Sequence, residues 1–212
     1  MIPNKLAKPM TLLLGPLQNE ESLKRIQQLD KSDFDKVVMV DGAANFFRAP
    51  WPSNWQLIGD ADSCSEELKK HFDVLLPTHK DQSDLSYVLE HAISNDHQLI
   101  HAEGFNGGSL DHELINLGEL SLFLERRPST QINWGPQLKV FPAGTHIIKH
   151  FGSFSLFGLK DQTLGLSGSV KWPLKEKKIR ACSSLTLRNK AFGELQMQCS
   201  APTFMYIQQD PL

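Results

Sequence analysis

Two carboxylates separated by one residue are the part of this sequence best suited to chemistry. Asp60 and Asp62 lie in the stretch Gly59-Asp60-Ala61-Asp62-Ser63, directly after an apolar approach that ends at Ile58. In an extended chain both side chains would point to one side, where their charges repel unless a cation lies between them. Carboxylate oxygens favour hard ions, and Mg²⁺ is the first choice. The alternative is a turn at the end of a strand whose acids are simply solvated.

The neighbours of these acids are suited to the same purpose. Gly59 permits a close approach of the backbone to a ligand, and Ser63 can cap a following helix or bind phosphate. Asp84 lies later in the chain, at or just inside the first turn of a predicted helix. An acid at that position favours the helix N-terminus without any catalytic role.

Strands and helices alternate along the first part of the chain. Apolar runs predict five strands at residues 11–14, 36–40, 57–58, 74–76 and 98–102. Helical spacing predicts helices after Asn19, over 66–72, after Asp84 and over 110–124, the last with Leu114, Leu117 and Leu120 facing inward. This alternation is typical of a parallel α/β sheet, in which ligands bind beyond the carboxyl ends of the strands.

The pattern changes after residues 126–130, whose composition is that of a linker. Short apolar runs without helical spacing follow, at 147–148, 154–157, 164–166, 185–187, 195–197 and 204–206. They predict a small antiparallel β domain, either a sandwich or a barrel.

Composition excludes several classes of protein. The 212 residues carry a net charge of -2, so no general basic field attracts nucleic acid or an anionic membrane. Three cysteines without metal-type spacing indicate a reducing compartment. The first ten residues are polar and contain two prolines, which does not match a signal peptide. We therefore expect a cytoplasmic protein.

Six short motifs follow one another along the chain, most of them at the predicted loops. Five lie in the first part of the chain: Asp41-Gly42-Ala43-Ala44-Asn45, residues 59–63, Asp81-Gln82-Ser83-Asp84-Leu85, Gly107-Gly108-Ser109-Leu110-Asp111-His112 and Asn116-Leu117. The sixth, Lys171-Trp172-Pro173-Leu174, lies in the β-rich part. In this order and over nearly the whole chain, the motifs resemble those of the thiamine pyrophosphokinase family.

The resemblance implies an enzyme that transfers diphosphate from ATP to the hydroxyl of thiamine, giving thiamine diphosphate and AMP. It implies a Rossmann-like α/β nucleotide-binding domain, residues 1–127, and a β-sandwich domain for thiamine binding and dimerisation, residues 137–212. It further implies a homodimer with sites between subunits.

Carried over residue by residue, the resemblance implies that Asp60, Asp62 and Asp84 are catalytic residues that hold Mg²⁺ on the ATP phosphates. It implies nucleotide or phosphate contacts from a larger set of loop residues: Asp41, Asn45, Ser63, Lys80, Asp81, Gly107, Gly108, Ser109 and Asp111. Trp172 and Asn189 would contact thiamine, with the indole stacked on the pyrimidine. Without the resemblance, Trp172 reads as a core residue of the sandwich, and His112 as a structural residue rather than a general base.

The sequence also departs from the family pattern. Ser109 replaces an arginine that could bind phosphate in a bidentate manner, Ala61 replaces an aromatic residue and Ala43 replaces a glycine. Arg188 stands where many relatives have serine, and its charge could repel the thiazolium. Two alternatives therefore remain: a related diphosphokinase for another hydroxymethyl heterocycle, and a non-catalytic relative that binds thiamine or a nucleotide.

Overall fold

The computed structural model describes residues 9–208, which form a mixed α/β fold rich in sheet. The chain divides into two compact units, the first ending at Glu113 and the second beginning at Leu114. The domain limits expected from the sequence, 1–127 and 137–212, stay a prediction. The expectation that the first ten residues are no signal peptide falls mainly on residues 1–8, which lie outside the described range.

The first unit contains a parallel sheet of five strands. They are β1 (Met10–Leu14), β2 (Lys36–Val40), β3 (Trp55–Gly59), β4 (Val74–Leu75) and β5 (Leu99–Glu103). The strand order is β5-β1-β2-β3-β4, and each neighbouring pair is parallel. The five strands predicted from the apolar runs are confirmed, with small differences at their ends.

Continuous apolar runs form these strands because both faces of the sheet are covered. Leu12, Leu13 and Leu14 of β1 are all completely buried, as are Val37 and Val38 of β2. A strand buried on only one face would alternate between apolar and polar residues instead. The sheet is therefore a rigid core, and the loops at its edges hold the polar residues.

Four helices accompany the strands: α1 (Glu20–Gln28), α2 (Glu66–Lys69), α3 (Asp84–Tyr87) and α4 (Leu110–Glu125). A reciprocal pair of hydrogen bonds between Asn19 and Ser22 caps α1. The side chain of Ser83 accepts a hydrogen bond from Ser86 N and begins α3, which places Asp84 in the first turn as predicted. A single π-helical turn, Val88–Ala92, continues α3.

The prediction that one face of α4 is buried along its whole length is wrong for the first half of the helix. Leu114 is 58% exposed, and Leu110 and Ile115 are exposed as well. Leu120 and Phe123 are buried, because only the C-terminal half of this helix is covered by other residues. Helical periodicity identified the helix correctly, but it could not tell which part of the helix would be covered.

The second unit contains seven antiparallel strands. They are β6 (Gln131–Trp134), β7 (Leu138–Phe141), β8 (Gly144–Phe157), β9 (Gln162–Val170), β10 (Leu174–Ile179), β11 (Asn189–Cys199) and β12 (Thr203–Ile207). Their order is β10-β9-β11-β8-β12-β7-β6, with antiparallel neighbours throughout. The antiparallel β character expected after the linker is confirmed.

Two details of this unit differ from the sequence prediction. The apolar run at 185–187 is no strand, because Ser183 caps a 3₁₀ turn at Ser184–Thr186 and the side chains of Leu185 and Leu187 are exposed. The separate runs at 147–148 and 154–157 belong to one long strand, β8. The polar residues between those runs remain in the strand because backbone pairing with β11 continues through them.

Candidate active site

The polar site begins where two neighbouring strands end. β2 ends at Val40 and β3 at Gly59, and because these strands are parallel neighbours, Asp41 and Gly59 come side by side. A Cβ on Gly59 would lie 2.7 Å from the Cβ of Asp41, closer than the two backbones allow. Gly59 therefore admits a protein residue, Asp41, whereas the sequence suggested that it would admit a ligand.

Asp41 is a buried carboxylate held by the loop that follows β3. Its Oδ1 accepts a hydrogen bond from Ala61 N at 2.9 Å, and its Oδ2 accepts one from the hydroxyl of Ser63. Asn45 Nδ2 donates to the carbonyl oxygen of Ser63 at 2.9 Å and joins the same two loops. Asp41 and Ala61 both have positive φ angles, of 45° and 62°, and these bonds help to hold that uncommon backbone.

The chain at the paired acids is a turn, so the extended conformation expected for Asp60 and Asp62 is wrong. Ala61 has a left-handed backbone, and Asp62 N donates a hydrogen bond to Asp60 Oδ1 at 3.3 Å. The two acids nevertheless lie close together. Asp41, Asp60 and Asp62 each offer an oxygen, and these three oxygens lie within 4.8 Å of one another. We call these three residues the acidic cluster.

Lys80 links the acidic cluster to Asp84. Its Nζ donates to Asp60 Oδ2 at 2.7 Å and to the carbonyl oxygen of Pro77 at 3.3 Å. The same Nζ lies 3.0 Å from Asp84 Oδ1, but that oxygen has no hydrogen bond of good direction and is buried. The side chains of Lys80, Asp60 and Asp84 are 15%, 10% and 17% exposed. The ammonium is thus a largely enclosed bridge between two carboxylates.

Ionisation is unevenly distributed among these acids. Burial works against the charge of Asp60, but hydrogen bonds from Lys80 and from Asp62 N outweigh it and lower the pKa. Burial raises the pKa of Asp62, and the charges of Asp60 and Asp41 add to the effect. Burial also raises the pKa of Asp84, although Lys80 opposes it. The site therefore holds more negative charge than its surroundings stabilise.

This donor set fits a magnesium ion. All its candidate ligands are carboxylate oxygens, which Mg²⁺ prefers, and Asp84 Oδ1 is a buried oxygen without a hydrogen-bond partner. The assignment of Asp60, Asp62 and Asp84 as metal ligands stays a prediction. The geometry adds Asp41, which the sequence suggested only as a nucleotide contact. The signal for it was its position directly after a buried strand, the same position that Asp60 has.

The glycine-rich loop lies between β5 and α4, at the same edge of the sheet. Gly107, Gly108, Ser109 and Asp111 are all exposed. Gly107 has a φ of 91°, which suits glycine, and its N–H donates to Glu113 Oε1 at 2.6 Å. Glu113 was not foreseen as a site residue. Its carboxylate accepts the hydrogen bond of one backbone N–H group, that of Gly107, which this loop could otherwise donate to a phosphate.

Two other predicted residues lie at the surface of the first unit. Asp81 is exposed in the turn that precedes α3, and His112 is exposed in the first turn of α4. A hydrogen bond from the Ser109 hydroxyl, and then one from His112 N, lowers the pKa of Asp111. The loop serine that replaces the family arginine therefore contacts Asp111.

The second unit has a pocket of about 340 Å³ beside Trp172. It is lined by Leu166, Trp172, Pro173, Leu174, Leu185, Thr186, Leu187 and Asn189. The indole of Trp172 is 53% exposed and has Lys171 Nζ 4.5 Å from its ring centroid. Trp172 is thus no core residue, and the structure brings Trp172 and Asn189 to one pocket, while their contact with thiamine stays a prediction.

Arg188 does not line that pocket, although it precedes Asn189 in the chain. Its backbone has a φ of 56°, and its N–H donates to Ser155 Oγ at 3.0 Å. The pocket wall comes instead from Leu185 and Leu187, which the sequence assigned to a strand. A capping serine at 183 was the local signal that could have identified this turn.

The proteins that this chain resembles in sequence and in structure are thiamine pyrophosphokinases. No family model matches the chain. The sequence is 28% identical over 147 residues to a thiamine pyrophosphokinase of Bacillus subtilis, an alignment that covers 64% of this chain and 68% of that protein. The resemblance seen in the loop motifs is therefore confirmed as a resemblance.

Solved structures of this kind share the fold. The crystal structure of thiamine pyrophosphokinase from Bacillus subtilis has a TM-score of 0.71 and 20% identity, covering 95% of this chain and all of that one. The thiamin pyrophosphokinase of Candida albicans has a TM-score of 0.73 and 15% identity, covering 95% and 90% of the two chains. None of the helices within residues 9–208 is both long and apolar enough to cross a membrane.

Proposed function

We propose that this chain is a thiamine pyrophosphokinase that uses ATP and Mg²⁺. The observation that carries the proposal is the acidic cluster of Asp41, Asp60 and Asp62. Lys80 joins it to Asp84, and it lies where the parallel strands have their carboxyl ends. Ligands of open α/β sheets bind at this edge. The similarity in sequence and fold to thiamine pyrophosphokinases supports the substrates named here.

The reaction moves a diphosphate group. The hydroxyl oxygen of thiamine forms a bond to the β-phosphorus of ATP, and the bond from that phosphorus to the α–β bridging oxygen breaks. AMP leaves with the bridging oxygen, and the hydroxyl releases its proton. Such transfers need positioning and neutralisation of charge more than covalent assistance from the protein.

The residues of the first unit would divide this work. Asp60, Asp62 and Asp84, with Asp41 beside them, would hold Mg²⁺, which supplies positive charge to the phosphate oxygens. Ser63 and Asn45 keep the two carboxylate-bearing loops together. The loop of Gly107 and Gly108 would offer backbone N–H groups to the phosphates, and Lys80 an ammonium.

The acceptor would bind at the pocket of the second unit. The exposed indole of Trp172 would stack on the pyrimidine of thiamine, and Asn189 holds the turn that carries it. We propose a Rossmann-like nucleotide domain and a β-sandwich domain, as the resemblance implied, and a homodimer with sites between subunits. Exposed Ile147, Phe151 and Phe192 support the dimer, since large apolar side chains exposed on one sheet are well suited to an interface.

The protein would work in the cytoplasm with ATP and thiamine as its partners. Cys64, Cys182 and Cys199 are all free thiols, which suits a reducing compartment. With its net charge of -2, the chain has no general attraction for nucleic acid.

Turnover of the purified protein tests the proposal. We expect ATP, Mg²⁺ and thiamine to give AMP and thiamine diphosphate in equal amounts, and EDTA to abolish both products. Product formation with other hydroxymethyl heterocycles, but not with thiamine, would favour the related diphosphokinase. Binding of thiamine or ATP without any AMP release would favour the non-catalytic relative.

A further inference from the structure

Lys80 occupies the space between two acids that the proposed function gives to a metal. Its Nζ is 2.7 Å from Asp60 Oδ2 and 3.0 Å from Asp84 Oδ1. A surface lysine would be expected to extend into water, but this side chain is only 15% exposed. The ammonium therefore has a defined position in which it neutralises part of the charge of the site.

A magnesium ion would compete with the ammonium for these oxygens. Mg²⁺ binds carboxylate oxygen at about 2.0–2.1 Å, and two cations on one oxygen would repel strongly in a partly enclosed site. Both oxygens of Asp60 already accept a hydrogen bond, because Oδ1 also accepts one from Asp62 N at 3.3 Å. Binding of a metal to Asp60 Oδ2 and Asp84 Oδ1, the two oxygens nearest to Nζ, is therefore expected to displace Lys80.

We propose that Lys80 is an internal counter-ion that holds the metal-free site together and is displaced when the divalent cation binds. This inference rests on the proposed function for the identity of the metal, but not for the exchange of one cation for another. Lysine suits the task because its compact ammonium is carried by a flexible chain of four methylene groups. The free ammonium remains near the site and can then contact an anionic phosphate.

The alternative is a lysine that keeps its place while the metal binds only to Asp41 and Asp62. In that arrangement Lys80 is a fixed structural residue and Asp84 is no ligand. The two arrangements differ in what happens to metal affinity, and to the position of Nζ, when a divalent cation is added without nucleotide.

Titration of Mn²⁺ followed by calorimetry tests the exchange in the absence of ATP and thiamine. Lys80→Met keeps the length of the side chain and removes its charge. We expect this variant to bind Mn²⁺ on the order of tenfold more tightly than the wild type, because no ammonium has to be displaced. Lys69→Met is the control, since it removes the same charge from a residue that pairs with Glu66 at the surface. We expect that variant to bind as the wild type does.

Two further measurements complete the test. In EDTA, we expect Lys80→Met to melt at a lower temperature than the wild type, because its acids lose their counter-ion. In a crystal structure with Mn²⁺, located by anomalous scattering, we expect Nζ to have left both carboxylates. The proposal is overturned if Lys80→Met binds Mn²⁺ no more tightly than the wild type, or if Nζ still contacts Asp60 and Asp84 beside the bound ion.

These measurements separate the inference from the proposed function. Tighter metal binding by Lys80→Met in a protein that never phosphorylates thiamine would support the exchange and refute the function. Turnover of thiamine by a protein whose metal affinity does not respond to Lys80→Met would support the function and refute the exchange.

Discussion

The side chain of Asn189 makes hydrogen bonds to both backbone groups of Trp172. Its Oδ1 accepts from Trp172 N at 3.1 Å, and its Nδ2 donates to Trp172 O at 2.7 Å. Asn189 is itself 7% exposed, so water competes little for these bonds. The turn is thus held from within while the indole faces outward, an arrangement suited to presenting a flat surface to a ligand.

Replacing Trp172 should therefore affect binding more than folding. We expect Trp172→Ala to raise the KM for thiamine about tenfold or more, since stacking and a desolvated cation both contribute. The KM for ATP should change little, and Trp172→Phe should recover part of the loss. Because the side chain is half exposed, the loss of stability should stay well below the roughly 3–5 kcal/mol typical of a buried tryptophan. A large fall in melting temperature with equal loss for both substrates would remove Trp172 from the site.

Asp62 should be needed for turnover but not for stability. We expect Asp62→Ala to reduce kcat about a hundredfold or more through lost charge stabilisation. The control is Asp33→Ala, because Asp33 is exposed and precedes β2, at the opposite end of the strand from Asp41. Normal activity of Asp62→Ala with ordinary dependence on Mg²⁺ would contradict the metal assignment.

The same variant should show a pH-dependent gain in stability. The folded pKa of Asp62 is raised above its usual value of 3.8, so its ionised form is disfavoured in the folded state. This penalty is present at neutral pH and disappears as the pH falls through the folded pKa and Asp62 takes up a proton. Without metal, we expect Asp62→Ala to melt at or above the wild-type temperature at pH 7, and the difference to vanish in acid. Denaturation scans across this pH range measure it, and a wild type more stable at pH 7 would speak against repulsion in the site.

Glu113 should weaken the binding of ATP at the glycine-rich loop. Its carboxylate accepts the hydrogen bond from Gly107 N and brings a negative charge to the proposed phosphate site. We expect Glu113→Gln to lower the Kd for ATP several-fold, measured by calorimetry without thiamine, because phosphate then meets less repulsion. Glu119→Gln, six residues further along α4, is the control. Unchanged or weaker binding by Glu113→Gln would place the phosphates elsewhere.

Cys64 should resist alkylation at neutral pH. Burial, and then the charges of Asp41 and Asp62, raises the pKa of this thiol to about 11. At pH 8 only about one molecule in a thousand would carry the reactive thiolate. We expect iodoacetamide to modify exposed Cys182 first, and the rate at Cys64 to rise about tenfold per pH unit up to pH 10. Peptide mapping by mass spectrometry identifies the modified residue, and rapid labelling of Cys64 at pH 7 would refute the raised pKa.

A pair of exposed phenylalanines on β8 and β11 should mediate dimerisation. Phe151 and Phe192 are directly opposite each other on these strands and are 66% and 55% exposed. We expect light scattering to give a mass near twice 23.9 kDa for the wild type. Phe192→Glu should give a monomer, because an interface buries such a charge without a partner. Leu75→Glu, at an exposed apolar residue of β4, is the control. A wild type that is monomeric and fully active would refute the shared-site model.

Features that depend on neighbouring residues could be predicted from the sequence. Apolar runs such as Lys36–Val40 correctly predicted strands, and the placement of Asp84 in the first turn of α3 followed from local pattern. The alternation of strands with helices was enough for a parallel sheet, and therefore for a ligand edge at the carboxyl ends. Short-range periodicity carries this information because each element is largely specified by its own residues.

Which of the polar residues come together could not be predicted, because their contacts join distant parts of the chain. The chain from Asp41 to Asp60 runs through a 3₁₀ turn, Asp41–Phe46, and the whole of β3, and the close approach at Gly59 brings the two acids together. The bridge from Lys80 to Asp60, and the bonds of Asn189 to Trp172, span 20 and 17 residues. The left-handed backbone at Ala61 was equally hidden, because an alanine gives no local sign of a positive φ. Such contacts depend on strand order and loop closure, for which neighbouring residues hold no signal.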